Sequence, residues 1–213
     1  MSLNNLQNTF WDSVAESKEF HDPFYIDQLE PLINNNSLII EYGCGYGRLL
    51  NLLSERGYKN TSGFDFSSLM IAKGKSRWPK LDLHHIQHAA LPLKDNSVDA
   101  AILSTVLCCV PDQTAEEQVI QEIHRVLKIG APLYLTDFLI TDTDNLTNKY
   151  QKGYAAYNEW GVYQTSEGAL VRHFNPVQIE KLLSAFSVHW YQEGDFVTMN
   201  HNSVKTFHGI YIK

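Results

Sequence analysis

The sequence predicts a three-layer α/β sandwich, with a mostly parallel sheet of about seven strands, helices on both faces and a last strand that runs antiparallel. Three observations predict it. Short apolar runs alternate with amphipathic stretches from Ser37 to Phe138, the spacing of strand–helix–strand units whose sheet is covered on both sides. The first run ends in Gly43, Gly45 and Gly47, where the backbone can turn sharply into a helix. After Phe186 two β-like runs follow with no helix between them, which makes the closing connection antiparallel.

The elements follow in order. Phe10, Trp11, Val14 and Ala15 fall on one helical face, and Phe24, Tyr25, Leu29, Leu32 and Ile33 suggest a second amphipathic helix before the Asn34–Asn36 break. Residues 1–35 therefore read as an N-terminal helical cap on a single domain spanning 1–213. Ser37–Tyr42 is a buried strand, and Arg48–Arg56 a helix closed by Gly57. Thr61–Phe66 is the second strand, and Ser67–Arg77 a helix stopped by Trp78-Pro79. Leu81–Ile86 and Val98–Leu103 are the third and fourth strands. Gln113–Lys128 is a long helix with Gly130 past its end, and Ala131–Phe138 the fifth strand. Residues 139–174 are a polar, tyrosine-rich insertion, read as a lid over an acceptor site. Asn175-Pro176 opens a helix to about Phe186, and Val188–Tyr191 and Lys205–Ile212 are the last β-runs.

Composition narrows the function. A chain of 213 residues, 44% hydrophobic and 19% charged, buries a core without staples. Its net charge of −7 and the lack of any Lys/Arg run argue against a nucleic-acid partner. Cys44, Cys108 and Cys109 are odd in number and without C-x-x-C spacing, which favours a reducing compartment over a disulfide framework. The start MSLNNLQNTFWDS lacks a basic n-region and an apolar h-region, and no run reaches the ~18 apolar residues of a membrane span, so the reading is cytoplasmic with no membrane partner. No His/Cys/carboxylate cluster has metal-ligand spacing.

The loop Glu41-Tyr42-Gly43-Cys44-Gly45-Tyr46-Gly47-Arg48 carries the chemistry. A dinucleotide fingerprint needs G-x-G-x-x-G, and its third glycine falls on Arg48 or Leu50 here, so neither frame fits. The acidic residue two positions before G-x-G-x-G resembles the first motif of Rossmann-like methyltransferases of class I, in particular the type 11 methyltransferase-domain family. Asp65, in Gly63-Phe64-Asp65-Phe66-Ser67, stands 18 residues after Gly47, where a ribose-binding carboxylate belongs. Ala89 to Asp99 (AALPLKDNSVD) resembles the family's A-x-x-L-P-F-x-D-x-S-F-D, with His88 where the family has Asp. Ser104-Thr105 ends the fourth strand, and EIHRVLKIGA from Glu122 resembles E-x-x-R-V-L-K-P-G-G, with Ile129 for Pro and Ala131 for Gly.

The resemblance, running in order from Glu41 to Phe138, implies a Rossmann-like fold, S-adenosylmethionine as cofactor and methyl transfer to a small-molecule substrate. It implies cofactor contacts at Glu41, Gly43, Cys44, Gly45, Gly47, Asp65, Phe66, Ser67, His88, Ala89, Ala90, Ser104 and Thr105. Methyl transfer needs alignment and, for some acceptors, a base. His173 is the candidate base, and Tyr154, Tyr157, Tyr163 and Arg172 are candidates for the acceptor side, with Trp11 and Tyr25 placed to close over the cofactor or to pack a helix face. The tyrosines of the insertion would suit a homodimer interface as well as a lid. Two other readings stand beside this one: a binding module without catalysis, and a nicotinamide-dependent oxidoreductase. The oxidoreductase lacks its third glycine and a Tyr-x-x-x-Lys pair, since Asn158 follows Tyr154 at the fourth position. Cys108-Cys109 packs as small apolar residues rather than as an arsenic site, because only Cys44 remains to join it.

Overall fold

The computed structural model describes residues 3–110, 112–198 and 202–213. Helix α1 (Leu3–Val14) leads into a loop and the short α2 (Ile26–Leu29), which tightens into a 3₁₀ turn over Glu30–Leu32. The expected second amphipathic helix is thus broken up. Pro31 has no N–H to donate to the preceding turn, so the α-helical ladder cannot continue.

The body then alternates as the pattern predicts: β1 (Ile39–Tyr42), α3 (Arg48–Glu55), β2 (Thr61–Asp65), α4 (Ser68–Arg77), β3 (Asp82–His85), β4 (Ala100–Ser104), α5 (Gln113–Val126) and β5 (Pro132–Leu139). The insertion holds α6 (Asp144–Tyr157) and a hairpin, β6 (Val162–Gln164) and β7 (Leu170–Arg172). After α7 (Pro176–Leu182), β8 (Ser187–Val197) and β9 (Ser203–Ile212) close the fold. The seven-stranded sheet runs β3-β2-β1-β4-β5-β9-β8, parallel through β5 and antiparallel at β9.

The central strands are apolar because both faces are covered. Ile40, Ala101, Leu103, Leu133 and Leu135 pack towards α5 and α7 on one side. Ile39, Ala100, Ile102 and Tyr134 pack towards α3 on the other. β8 is an edge strand with only one neighbour, β9, and most of its residues are exposed. That exposure explains its polar stretch Gln192-Glu193-Gly194-Asp195, which apolar patterning does not mark as strand.

The tyrosine-rich insertion is folded rather than loose. Thr143 caps α6 by accepting from Leu146 N, and Leu146, Tyr150 and Gly153 form its buried face. At Gly153 the helix meets the hairpin backbone so closely that a Cβ would overlap Val162 O. At Gly161 one would overlap His173 O. Beyond β7 the chain rejoins the sheet, with Phe174 N donating to Phe138 O at 2.9 Å and Ile140 N to Phe174 O at 2.8 Å.

Candidate active site

The sheet order reverses between β1 and β4, so the chain leaves these neighbours in opposite directions and opens a crevice at their carboxyl ends. Gly43 follows β1 there with φ 72°, and a Cβ on it would overlap Val106 Cγ2, beyond β4. Only glycine meets both the left-handed backbone and the close approach. Gly47, at φ 84°, sits where the N-cap of α3 turns. Thr105 also adopts a left-handed conformation, φ 52°, at the crevice, held by its N–H to Thr136 O at 2.8 Å.

A cavity of about 600 Å³ fills the crevice and extends under α1 and the β6–β7 hairpin. Its inner end is lined by Glu41, Gly43, Cys44 and Gly45, with Asp65 and Phe66 from the end of β2. Asp65 Oδ2 accepts from Gly45 N at 2.7 Å and Oδ1 from Ser67 N at 2.7 Å. These bonds brace the loop against β2 and leave each oxygen a further lone pair. Burial pushes the Asp65 carboxyl above the usual carboxylate range. Glu41 is 4% exposed and its Oε2 has no hydrogen-bond partner among the described residues. Burial raises its pKa to about 8, partly offset by Arg48 and reinforced by Asp65. His88 and Ala89 line the rim, Tyr42 Oη donates to Ala89 O at 3.3 Å, and Ser104 and Thr105 line the floor.

Three of the residues named from the loop and its neighbours stand behind the wall. Gly47 turns the chain into α3, and Ala90 lies past the rim; neither lines the cavity. Ser67 Oγ caps α4 by accepting from Met70 N at 3.1 Å and donates to Asp12 Oδ1 at 2.6 Å. Its hydroxyl is spent on structure.

The outer end is lined by Cys108, Cys109, Phe138, Lys149, Tyr163 and His173. Helix α1 runs over the cavity from this end, at Gln7, to the glycine-loop end, where Trp11 packs with Phe20 beside Tyr46 and Met70. Gln7 Nε2 straps the helix down by donating to Leu170 O and, at 3.1 Å, to Cys109 O. Lys18 pairs with Glu167 of the hairpin turn at 2.6 Å. Tyr25 packs instead against Trp190 and His208, away from the cavity.

Several acceptor-side expectations change place. Tyr154 and Tyr157 are exposed on the outer face of α6 and do not line the cavity, because that face turns away from the hairpin. Arg172 is buried, and it pairs with Glu116 of α5 and, at 2.5 Å, with Glu159. It bolts the hairpin to the body and does not line the space an anionic acceptor would enter. His173 lines the cavity, but Tyr150 Oη lies 2.7 Å from its Nδ1 and Tyr163 Oη 3.2 Å from its Nε2. Burial lowers its pKa to about 3, so the imidazole is neutral and both its nitrogens are engaged. A general base needs a free lone pair facing its acceptor and an affinity for protons near working pH; His173 has neither. Lys149 and Gln7 carry no motif to mark them, although Lys149 lies on the same helical stripe as Leu146 and Gly153.

The family described as a methyltransferase domain matches residues 40–135 of this chain. A probable S-adenosylmethionine-dependent methyltransferase of Mycolicibacterium smegmatis is 30% identical over 51% of this chain and 39% of its own. Demethylmenaquinone methyltransferase of Listeria welshimeri is 36% identical over 37% of this chain and 34% of its own. The match thus spans under two-fifths of the length of either relative. Among solved structures, a SAM-dependent methyltransferase of Methanosarcina mazei superposes with a TM-score of 0.84 at 24% identity, over 91% of this chain and 99% of that one. Another from Anabaena variabilis gives 0.71 at 13% identity, over 100% and 95%. These superpositions show that the described chain shares the α/β fold of those structures.

Proposed function

We propose, from the match of residues 40–135 to the methyltransferase-domain family, that the protein transfers a methyl group from S-adenosylmethionine to a small-molecule acceptor. The observation that carries the cofactor's place is Glu41. An acceptor atom buried without a donor is costly, and Glu41 lines the cavity beside the glycine loop, where a ligand ammonium would satisfy Oε2. Asp65 keeps lone pairs for two vicinal hydroxyls, as a ribose presents. Two carboxyl groups beside the loop suit a ligand bearing a sulfonium and an ammonium, whose charges would draw the carboxyls into their ionised form. Phe66, His88 and Ala89 would edge the adenine, with Gly43, Cys44, Gly45, Ser104 and Thr105 along the methionine part.

S-adenosylmethionine, when bound, supplies an already activated methyl group, so the chain's part is mainly alignment and exclusion of water. Helix α1 and the hairpin cover the cavity for that purpose. A cavity of about 600 Å³ suits a cofactor and a small acceptor better than a polymer. The quinone-type substrate in the name of the Listeria relative supports the same class. Among the described residues no helix is long and apolar enough to cross a membrane.

Thermal melts with S-adenosylmethionine, S-adenosylhomocysteine and NAD test the cofactor. Either adenosyl ligand at ~100 times its Kd adds ~2.7 kcal/mol to the folded state, and NAD adds nothing. No shift with either adenosyl ligand at millimolar concentration sinks the proposal. Release of S-adenosylhomocysteine across a panel of acceptors then separates an enzyme from a module that only binds.

A further inference from the structure

The outer end of the cavity holds a hydrogen-bonded chain whose direction its donor and acceptor count favours. Thr141 N donates to Tyr150 Oη at 3.3 Å. The one hydroxyl proton of Tyr150 then has His173 Nδ1, at 2.7 Å, as its acceptor among the described residues. A neutral imidazole that accepts at Nδ1 carries its proton on Nε2, and Nε2 donates to Tyr163 Oη at 3.2 Å. Tyr163 lines the cavity, so with its oxygen accepting from His173 its own proton is left to point at a ligand. Lys149 lines the same end, with Nζ 5.6 Å from the centre of the Tyr163 ring and 3.4 Å from Asn202 Oδ1. No carboxylate among the described residues pairs with it. Phe138, whose ring lies 5.4 Å from the His173 ring, gives this end a flat aromatic wall.

We propose that Tyr163 and Lys149 form the anion-binding corner of the acceptor site, and that the acceptor is a flat molecule bearing an anionic oxygen. Tyr150 and His173 are positioning residues: they act by turning the Tyr163 hydroxyl outwards. A donor turned outwards and a cation with no carboxylate partner among the described residues favour an oxygen that is already anionic over a neutral hydroxyl that must first lose a proton. The acceptor needs no base from His173, because it arrives ionised. This inference rests on the methyltransferase reading, which places the acceptor at the outer end.

Calorimetry on the full chain saturated with S-adenosylhomocysteine tests it, with 2-naphthoate and its neutral counterpart 2-naphthamide as probes. Naphthoate is expected to bind at least about tenfold more tightly than naphthamide. Lys149→Gln and Tyr163→Phe each lower naphthoate affinity about tenfold and leave naphthamide and S-adenosylhomocysteine unaffected. Equal affinity for the two probes, or equal losses for both in the variants, overturns the proposal. The wild-type protein gives a second reading that needs no variant. Long-range ¹H–¹⁵N spectra should show His173 with Nε2 protonated and Nδ1 bare, and the opposite tautomer overturns the relay. Tyr150→Phe should weaken naphthoate alone and disturb that tautomer, which a merely structural tyrosine would not do. Failure of S-adenosylhomocysteine itself to bind counts against the methyltransferase reading, whatever the naphthoate result.

Discussion

The two ends of the cavity are built differently. The inner end is made largely by backbone: two glycines, the strand ends of β1, β2 and β4, and one carboxyl group that braces them. The outer end is made by side chains from segments far apart in sequence, with Gln7 and Lys18 meeting residues 163 and 149 positions away. Backbone shape depends on local residue types at fixed spacing, whereas a wall of side chains depends on how whole elements dock. The inner end therefore leaves a written pattern and the outer end does not.

The largest test of that contrast strikes the outer end. Arg172→Met leaves Glu116 buried without its partner and should cost about 3–5 kcal/mol in denaturant melts. A cost under about 1 kcal/mol would mean that the hairpin is held by packing alone. Next, Gly43→Ala forces a Cβ against Val106 in a left-handed backbone and should cost about 2–3 kcal/mol. It should also remove the melting shift with S-adenosylmethionine, since the inner end has no spare geometry. Asp65→Asn keeps the fold but weakens hydrogen bonding to the ligand, and titration should show S-adenosylhomocysteine bound about 10–100-fold more weakly.

A pH series sharpens the contrast further. Glu41 is held protonated in the folded chain up to about 8, against 4.5 ordinarily. The stability contributed by its protonated form is complete below the ordinary value and is lost as pH rises towards 8. Wild type should therefore lose stability relative to Glu41→Gln across that window, and S-adenosylmethionine should close the gap by stabilising the ionised form. The smallest effect belongs to the Lys18–Glu167 pair, which is partly exposed: Lys18→Ala should cost under about 1 kcal/mol and mainly raise the protease sensitivity of the N-terminal segment.

Legibility follows the same division. The strands of the body and their order of appearance are readable because covered parallel strands are short apolar runs, and β1, β2, β4 and β5 each lie within two residues of the bounds the pattern predicts. Glu41 and Asp65 are readable because their spacing from the glycines is a local fact. Arg172 and His173 look from sequence like a paired anion holder. Alternation along the chain sends one of them to Glu116 and the other towards the cavity, and only the docked hairpin reveals which. Helix α6 escapes a reading by pattern because its buried face holds one leucine, one tyrosine and a glycine, too little apolar content to give a clear period.

The close approach at Gly153 and Gly161 has a consequence for how such a protein can change over time. The insertion is held by main chain meeting main chain at those two glycines and by Arg172, and none of these three residues lines the cavity. Thr165 and Ala169, in the hairpin turn, do line it and make neither of those contacts. Holding and facing are assigned to separate residues. Under the proposed function, descendants of this chain could trade acceptors by exchanging side chains of the hairpin turn, with the graft on the sheet and the glycine loop inherited unaltered.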